Sequence, residues 1–291
     1  MSAKKPNVPY KKLILEAIKT LENKKGVSMQ AIEKYLEQNH KEHEFKHTTL
    51  RTVLNKMLER KANKVFLGFG DASTYFKCPE KHVTCGNPVR DDFIKADREE
   101  ARASLGFKQD DFVLLAFGGS QGAGRINKAM MKVIETFNGM ENFKIVLGTG
   151  SYYYDIIRKE FRDKGVELKD NITLLEYIDD MPKYLAASDL MIGRSGALSV
   201  AEVTVCGVPA IFVPSPNVTG NHQYFNAKAV AEKGGAIIIE EKDLDDDKLV
   251  SEIQKLKSNP ELLKKMTDKS RECSLPEAAK VIVDKVLETY K

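Results

Sequence analysis

Apolar residues recur at two different periods along this chain, and the change falls near Cys78-Pro79-Glu80-Lys81. Before it the spacing is helical. Leu13, Ile14, Ala17, Ile18 and Leu21 share one face of a helix over 10–22, with Gly26 beyond its end. Ser28 is placed to cap a second helix through Ile32, Tyr35 and Leu36. A third, starting at Thr48 or Thr49, carries Leu50, Val53, Leu54, Met57 and Leu58. Two β-prone runs follow, Lys64-Val65-Phe66-Leu67 and Ser73-Thr74-Tyr75-Phe76. Gly68-Phe69-Gly70-Asp71-Ala72 between them predicts a hairpin loop. Three helices and then a hairpin is the order of a winged helix.

After Lys81 the apolar residues come in short, near-continuous runs. They cover Phe112–Phe117, Phe143–Leu147, Ile172–Leu175, Leu190–Ile192, Ala210–Val213 and Ala236–Ile239. Helical patterns lie between them, near 125–137, 152–164, 181–187, 197–206 and 222–233, and three more follow near 245–257, 260–270 and 276–290. Buried strands alternating with helices predict an α/β fold, a Rossmann-like parallel sheet covered on both faces. The domains are therefore expected at 1–80, a winged helix, and 81–291, an α/β domain.

Two strand-to-helix junctions stand out. Leu190-Met191-Ile192 ends in Gly193-Arg194-Ser195-Gly196, and a helix with Glu202 in its second turn begins at Ala197. Phe112–Phe117 ends in Gly118-Gly119-Ser120-Gln121-Gly122-Ala123. Such junctions are where α/β proteins hold phosphate, because helix N-terminal amides point outward there. Two in one sheet suggest a site for a nucleoside diphosphate.

Composition narrows the setting. With 291 residues, 42% apolar and 30% charged, the chain reads as globular, and no apolar run approaches the ~18 residues of a spanning helix. The start has lysines but no apolar signal-peptide core, so a cytoplasmic location is expected. Cys78, Cys85, Cys206 and Cys273 show no CxxC spacing and fit free thiols. The net charge of +4 is unevenly spread: residues 1–80 hold 16 Lys and Arg against 9 Asp and Glu, the remainder 30 against 33. A basic first quarter on a slightly acidic body suggests different partners for the two parts.

Residues from about 83 to 291 resemble the C-terminal, donor-binding half of the MurG glycosyltransferases. The likeness is carried by Gly86-Asn87-Pro88-Val89-Arg90, Gly118–Ala123, Tyr177-Ile178-Asp179-Asp180-Met181, Arg194–Leu198 with Glu202, Pro209–Pro214, and His222-Gln223 with Asn226-Ala227. That family moves N-acetylglucosamine from UDP-GlcNAc to a lipid-linked acceptor. Residues 7–78 resemble, less specifically, the winged helix of linker histones, through Pro9-Tyr10, Gly26–Leu36, Leu50-Arg51 and a wing ending Tyr75-Phe76-Lys77.

The MurG resemblance implies roles. Glu202 would accept hydrogen bonds from the ribose hydroxyls. Ser120 and Gln121, with the amides of Ala197, Leu198 and Ser199, would contact the diphosphate and stabilise departing UDP. Arg90 and Arg194 would offset its charge. Ile178 and Met181 would line the uracil slot, and His222 and Gln223 would meet sugar hydroxyls. Asn226 reads as structural. UDP-GlcNAc is the donor substrate. The reading needs no cofactor and no metal: no DxD arrangement of the kind metal-dependent glycosyltransferases use is found, and Asp245-Asp246-Asp247 reads as a solvated helix start. The spacing of His40, His43 and His47 lacks the further ligands of a zinc site.

Two departures matter. Cys85 intervenes between Thr84 and Gly86, where the family joins Thr directly to Gly-Asn-Pro. The family's N-terminal half, which supplies acceptor contacts and the candidate general base, has no counterpart in residues 1–80, which are too short and too helical. A general base contributes ~10²–10⁴ in rate, and none is identified here. An acceptor-binding partner at a membrane surface is therefore expected, as in the dolichol-pathway transferase, which resembles MurG cut into two subunits; an artificial fusion is the alternative. A competing function is DNA or chromatin binding through the winged helix, with a nuclear location. Lys46, Arg51, Lys56, Lys64 and Lys77, with Lys11 and Lys12, would meet phosphates, while Glu37, Glu42, Glu44 and Glu59 dilute that basic surface.

Overall fold

The computed structural model describes residues 10–21, 29–39, 59 and 61–289. The chain divides into two compact units, Met1–Thr84 and Cys85–Lys291.

In the first unit, α1 (Tyr10–Leu21) and α2 (Met29–Asn39) bury Leu13, Ile14 and Ala17, and Ile32 and Leu36, from the predicted faces. Gly26, Ser28 and the predicted third helix lie outside the described residues. The predicted hairpin is not formed. Strand β1 (Val65–Leu67) pairs in parallel with β2 (His82–Thr84), Val65 opposite His82. The expected second strand is instead a 3-10 helix, Gly70–Tyr75.

Glu59 gives the physical reason. It was expected on the surface, and it is buried at 2% exposure. Its carboxylate accepts the Lys77 and Cys78 amides at 2.9 and 2.7 Å and lies 3.0 Å from His82 Nε2. Backbone donors just past the β-prone run are thus tied to a side chain rather than to a neighbouring strand.

In the second unit, α3 (Asp91–Lys95) and α4 (Arg98–Leu105) precede the sheet. Neither was anticipated. The alternation then follows as β3 (Phe112–Phe117), α5 (Gly124–Phe137), β4 (Phe143–Gly148), α6 (Ser151–Asp163), β5 (Ile172–Leu175) and α7 (Met181–Ala187). It continues with β6 (Leu190–Gly193), α8 (Ala197–Cys206), β7 (Ala210–Phe212), α9 (His222–Ala231) and β8 (Ala236–Ile238). Helices α10 (Asp246–Lys257), α11 (Pro260–Glu272) and α12 (Ala278–Thr289) follow. The six strands β3–β8 are all parallel, in the order β5-β4-β3-β6-β7-β8. Leu114 faces Ile145 on one side and Leu190 on the other.

Both faces of the sheet are covered, which is why its strands read as unbroken apolar runs. On one face, Ile126, Met130, Ile134 and Phe137 of α5 join Ile157 and Phe161 of α6 and Leu249, Ile253 and Leu256 of α10. Phe137 stacks on Phe143 with ring centroids 4.4 Å apart.

A charged knot holds α4. Arg102 is fully buried. Its guanidinium donates to the carbonyls of Ala187, Lys108, Gln109 and Asp111 and pairs with Asp189 at 2.6 Å. Burial works against the charge on Arg102, and the Asp189 carboxylate opposes that effect. Asp189 also accepts the Val113 amide at 2.7 Å, which joins the start of β3 to the turn before β6.

Candidate functional site

The strand order reverses direction between β3 and β6. The chain runs outward from β3 through β4 to β5, then crosses back to β6 on the other side. The helices after β3 and β6 therefore leave on opposite faces, and a crevice opens at the carboxyl ends of these strands.

A cavity of about 360 Å³ lies there. Phe117, Gly119 and Ser120 after β3, and Gly148 and Gly150 after β4, line it. So do Glu176, Tyr177, Ile178, Asp179 and Met181 after β5, Glu202 from α8, and Arg90 and Phe93. Five of the expected site residues, Arg90, Ser120, Ile178, Met181 and Glu202, come together from four separate stretches of chain. Gln121, Arg194, Ala197, Leu198, Ser199, His222 and Gln223 are not in this lining.

Close backbone approach builds the floor. A Cβ on Gly122 would sit 2.1 Å from the Thr149 carbonyl oxygen, and one on Gly148 would sit 2.8 Å from Ile178 Cδ1. Gly122 also has φ +76°, a conformation that a side chain resists. The loop after β3 thus lies against the loop after β4. The latter is held in turn by Thr149 and Gly150 amides donating to Leu175 and Glu176 carbonyls at 2.9 and 3.0 Å. Ile178, 5% exposed, packs down over the bare Gly148.

Glu202 is partly buried on α8. Burial pushes its carboxyl above the ordinary carboxylate range, and the charge of Arg90 pulls it part of the way back. The Arg90 guanidinium lies 5.3 Å from the centre of the Phe93 ring, a cation–π distance. Among the described residues that line the cavity, Arg90 is the sole cation, against Glu176, Asp179 and Glu202. That set suits hydroxyl and N–H donors. Backbone amides available nearby are those of the Gly119-Ser120 turn and of the N-terminus of α8, whose first turn has no side-chain cap.

Of the remaining expected residues, Arg194 and Gln223 stitch neighbouring loops. Ser195 Oγ donates to the Gln223 carbonyl at 2.8 Å, and Ser215 N–H donates to Gln223 Oε1 at 2.9 Å. Asn226 Nδ2 donates to the Ser195 carbonyl at 3.0 Å. Arg194 turns toward Val213, Pro214 and Glu241. His222 is exposed at the start of α9.

Sequence reasoning missed Phe93, Phe117, Gly148, Gly150 and Glu176, and it gave no individual role to Gly119, Tyr177 and Asp179 of the quoted motifs. Two signals could have found some of them. Gly148-Thr149-Gly150 is a third glycine turn at a strand end, and Tyr177 and Asp179 flank the singled-out Ile178. In the first unit, Lys64 and Lys77 are exposed, while Lys46, Arg51 and Lys56 lie outside the described residues. Among the described residues no cluster of three or more His, Cys, Asp or Glu is grouped to hold a metal ion, and no helix is long and apolar enough to cross a membrane. His40, His43 and His47 lie outside the described residues.

Comparison with known proteins places these features. Residues 113–282 match the model of the glycosyltransferase family 28 C-terminal domain, and residues 7–68 match that of the linker histone H1 and H5 family. The UDP-N-acetylglucosamine–N-acetylmuramyl-(pentapeptide) pyrophosphoryl-undecaprenol N-acetylglucosamine transferase of Caldicellulosiruptor saccharolyticus is 38% identical over 238 residues. That alignment covers 82% of this chain and 63% of the relative. The same enzyme of Desulforamulus reducens is 36% identical over 79% of this chain and 63% of its own length. The crystal structure of MurG from Acinetobacter baumannii superposes with a TM-score of 0.62 at 28% identity, over 80% of this chain and 62% of that one. UDP-GlcNAc 2-epimerase from Neisseria meningitidis, at 17% identity and a TM-score of 0.57, shares the fold. The chain thus spans less than two thirds of the length of these relatives.

Proposed function

The chain belongs to the glycosyltransferase family 28 C-terminal-domain family, and from that membership we propose that it binds UDP-GlcNAc as the donor half of a MurG-like hexosyltransferase. The observation that carries the reading is the cavity at the strand-order reversal. It joins an apolar slot at Ile178 and Met181, a partly buried acceptor at Glu202 and amide donors at Ser120. The relatives whose printed names specify N-acetylglucosamine transfer support the choice of sugar.

In this reading the base lies over Ile178 and the ribose hydroxyls donate to Glu202. The diphosphate meets the Gly119-Ser120 turn and the first turn of α8. As the anomeric bond breaks, negative charge grows on UDP, and those amides stabilise it most when it is greatest. An acceptor hydroxyl attacks the anomeric carbon directly, with inversion. The base that takes its proton, and the contacts to a lipid-linked acceptor, come from an acceptor-binding partner at a membrane surface.

Calorimetric titration of the full chain with UDP and UDP-GlcNAc tests the donor reading. Saturable binding of both is expected, and no heat with either would sink it. Transfer is expected only when an acceptor-binding half is added.

The linker-histone match favours a second reading for the first unit, binding of duplex DNA through Lys64, Lys77 and neighbouring basic residues. A gel shift across a salt series tests it: retention should fall steeply with salt. Retention indifferent to salt, or none, counts against it.

A further inference from the structure

Arg194 opens the loop between β6 and α8, and the family resemblance put its charge on the diphosphate. Both of its terminal nitrogens are already engaged. Nη1 donates to the Val213 carbonyl at 3.0 Å and to the Pro214 carbonyl at 3.2 Å. Nη2 forms a close ion pair with Glu241 Oε2, and both side chains are mostly buried, at 16% and 19% exposure. Glu241 starts the short 3-10 turn Glu241–Asp243 after β8. The same turn is held from the other side, where Arg125 of α5 donates to the Leu244 carbonyl at 2.8 Å.

We propose that Arg194 is a positioning residue, acting through Glu241 to fix the N-terminus of α8, and not a ligand of the diphosphate. Three loops meet at its guanidinium: its own, the one that leaves β7 at Val213, and the one that leaves β8. The next residue, Ser195, is pinned by its hydroxyl to Gln223 and by its carbonyl to Asn226. Gly196 is the N-cap of α8, whose first turn has no side-chain cap and which the donor reading assigns to the diphosphate. To reach that position Arg194 would have to leave a shielded carboxylate and two carbonyls, each of which would lose its partner. A planar fork with several fixed donors suits such a three-way junction, as a lysine would not.

The inference rests on the donor reading above, and the two fail in different ways. The test is competition calorimetry with UDP and uridine on the full chain and its variants, read as the ratio of the two affinities. Glu241→Gln keeps the shape and removes the carboxylate charge. If Arg194 positions α8, this variant loses UDP affinity three- to tenfold while uridine binding holds, so the ratio falls. If Arg194 were a diphosphate ligand, releasing it from Glu241 would tighten UDP, and the ratio would rise. A ratio that rises or stays level overturns the inference. The double variant Arg194→Ala/Glu241→Ala leaves no lone buried charge. It should lose no more of the ratio than Arg194→Ala alone, and additive losses would again overturn it. Absence of UDP binding by the unsubstituted chain sinks the donor reading and this inference with it.

Discussion

Gly122 and the Thr149 carbonyl stand so close that a Cβ on Gly122 would lie 2.1 Å from the oxygen. The glycine turn after β3 therefore serves packing before it serves any ligand. Gly122→Ala forces that contact open and places a side chain at φ +76°. The overpacking alone should destabilise the second unit by about 1–3 kcal/mol, read as a lower urea midpoint. UDP binding should weaken with it, because Ser120 rides on the same turn.

Glu202 supplies the test of the ribose contact. Glu202→Ala removes a charged acceptor of two hydroxyl hydrogen bonds. A loss of about 1.5–3 kcal/mol, roughly ten- to hundredfold in Kd for UDP, is expected. Affinities for UDP that match the unsubstituted chain would disprove the contact.

The raised Glu202 carboxyl makes binding pH-dependent in a defined direction. Protonation removes acceptor capacity, so UDP affinity should fall as pH drops through its elevated pKa. Arg90→Ala removes the opposing charge and should move that fall to higher pH. Stability runs the other way. A carboxyl raised in the folded state contributes most below its unfolded pKa, and the contribution is lost as pH rises through the folded value. Glu202→Gln should thus raise the melting temperature of the ligand-free protein near neutral pH while weakening UDP.

Glu59 behaves in the opposite sense. Burial would raise its carboxyl, but the Lys77 and Cys78 amides and His82 outweigh that and hold it below the usual range. Its contribution is present above the unfolded pKa and is lost as pH falls through the folded one. Glu59→Gln should lower the thermal midpoint of the first unit at neutral pH and flatten its acid unfolding. An unchanged acid limb would contradict this.

Arg102 tests the charged knot beneath α4. Arg102→Ala strips one partner from Asp189 and leaves four carbonyls short of a donor. About 3–5 kcal/mol of destabilisation is expected in denaturant unfolding. Uridine affinity of the protein that remains folded should hold, since neither Arg102 nor Asp189 lines the cavity.

The parts of the fold that were legible are those written in apolar periodicity. Strands β3, β4, β6 and β7 run through residues such as Leu114, Ile145, Ile192 and Ile211 that are buried, and that leaves unbroken runs in the sequence, while the edge strands β5 and β8 are only partly buried. Helix α4 was illegible by the same logic, since Arg98-Glu99-Glu100-Ala101-Arg102 buries an arginine in place of an apolar residue. Its caps were readable: Asp97 accepts the Glu100 amide at 2.9 Å, and Gly106 ends it at φ +73°. The false hairpin has a similar origin. β-propensity at Ser73–Phe76 says nothing of a buried carboxylate that will take the next two amides. At the site, Ser120, Ile178 and Glu202 were readable because each sits in a distinctive run. Phe93 and Phe117 were not, because a pocket wall and a core residue have the same chemistry in one dimension.

The charge of the cavity bears on how a ligand arrives. With three carboxylates around the opening and one arginine, the field at the mouth does not draw in a dianion. Encounter should therefore gain nothing from electrostatic steering and stay insensitive to added salt. Long residence, set by amides and by Glu202 once the nucleotide is inside, would have to supply the affinity. In the proposed donor reading, that residence holds the sugar nucleotide while an acceptor is brought to it.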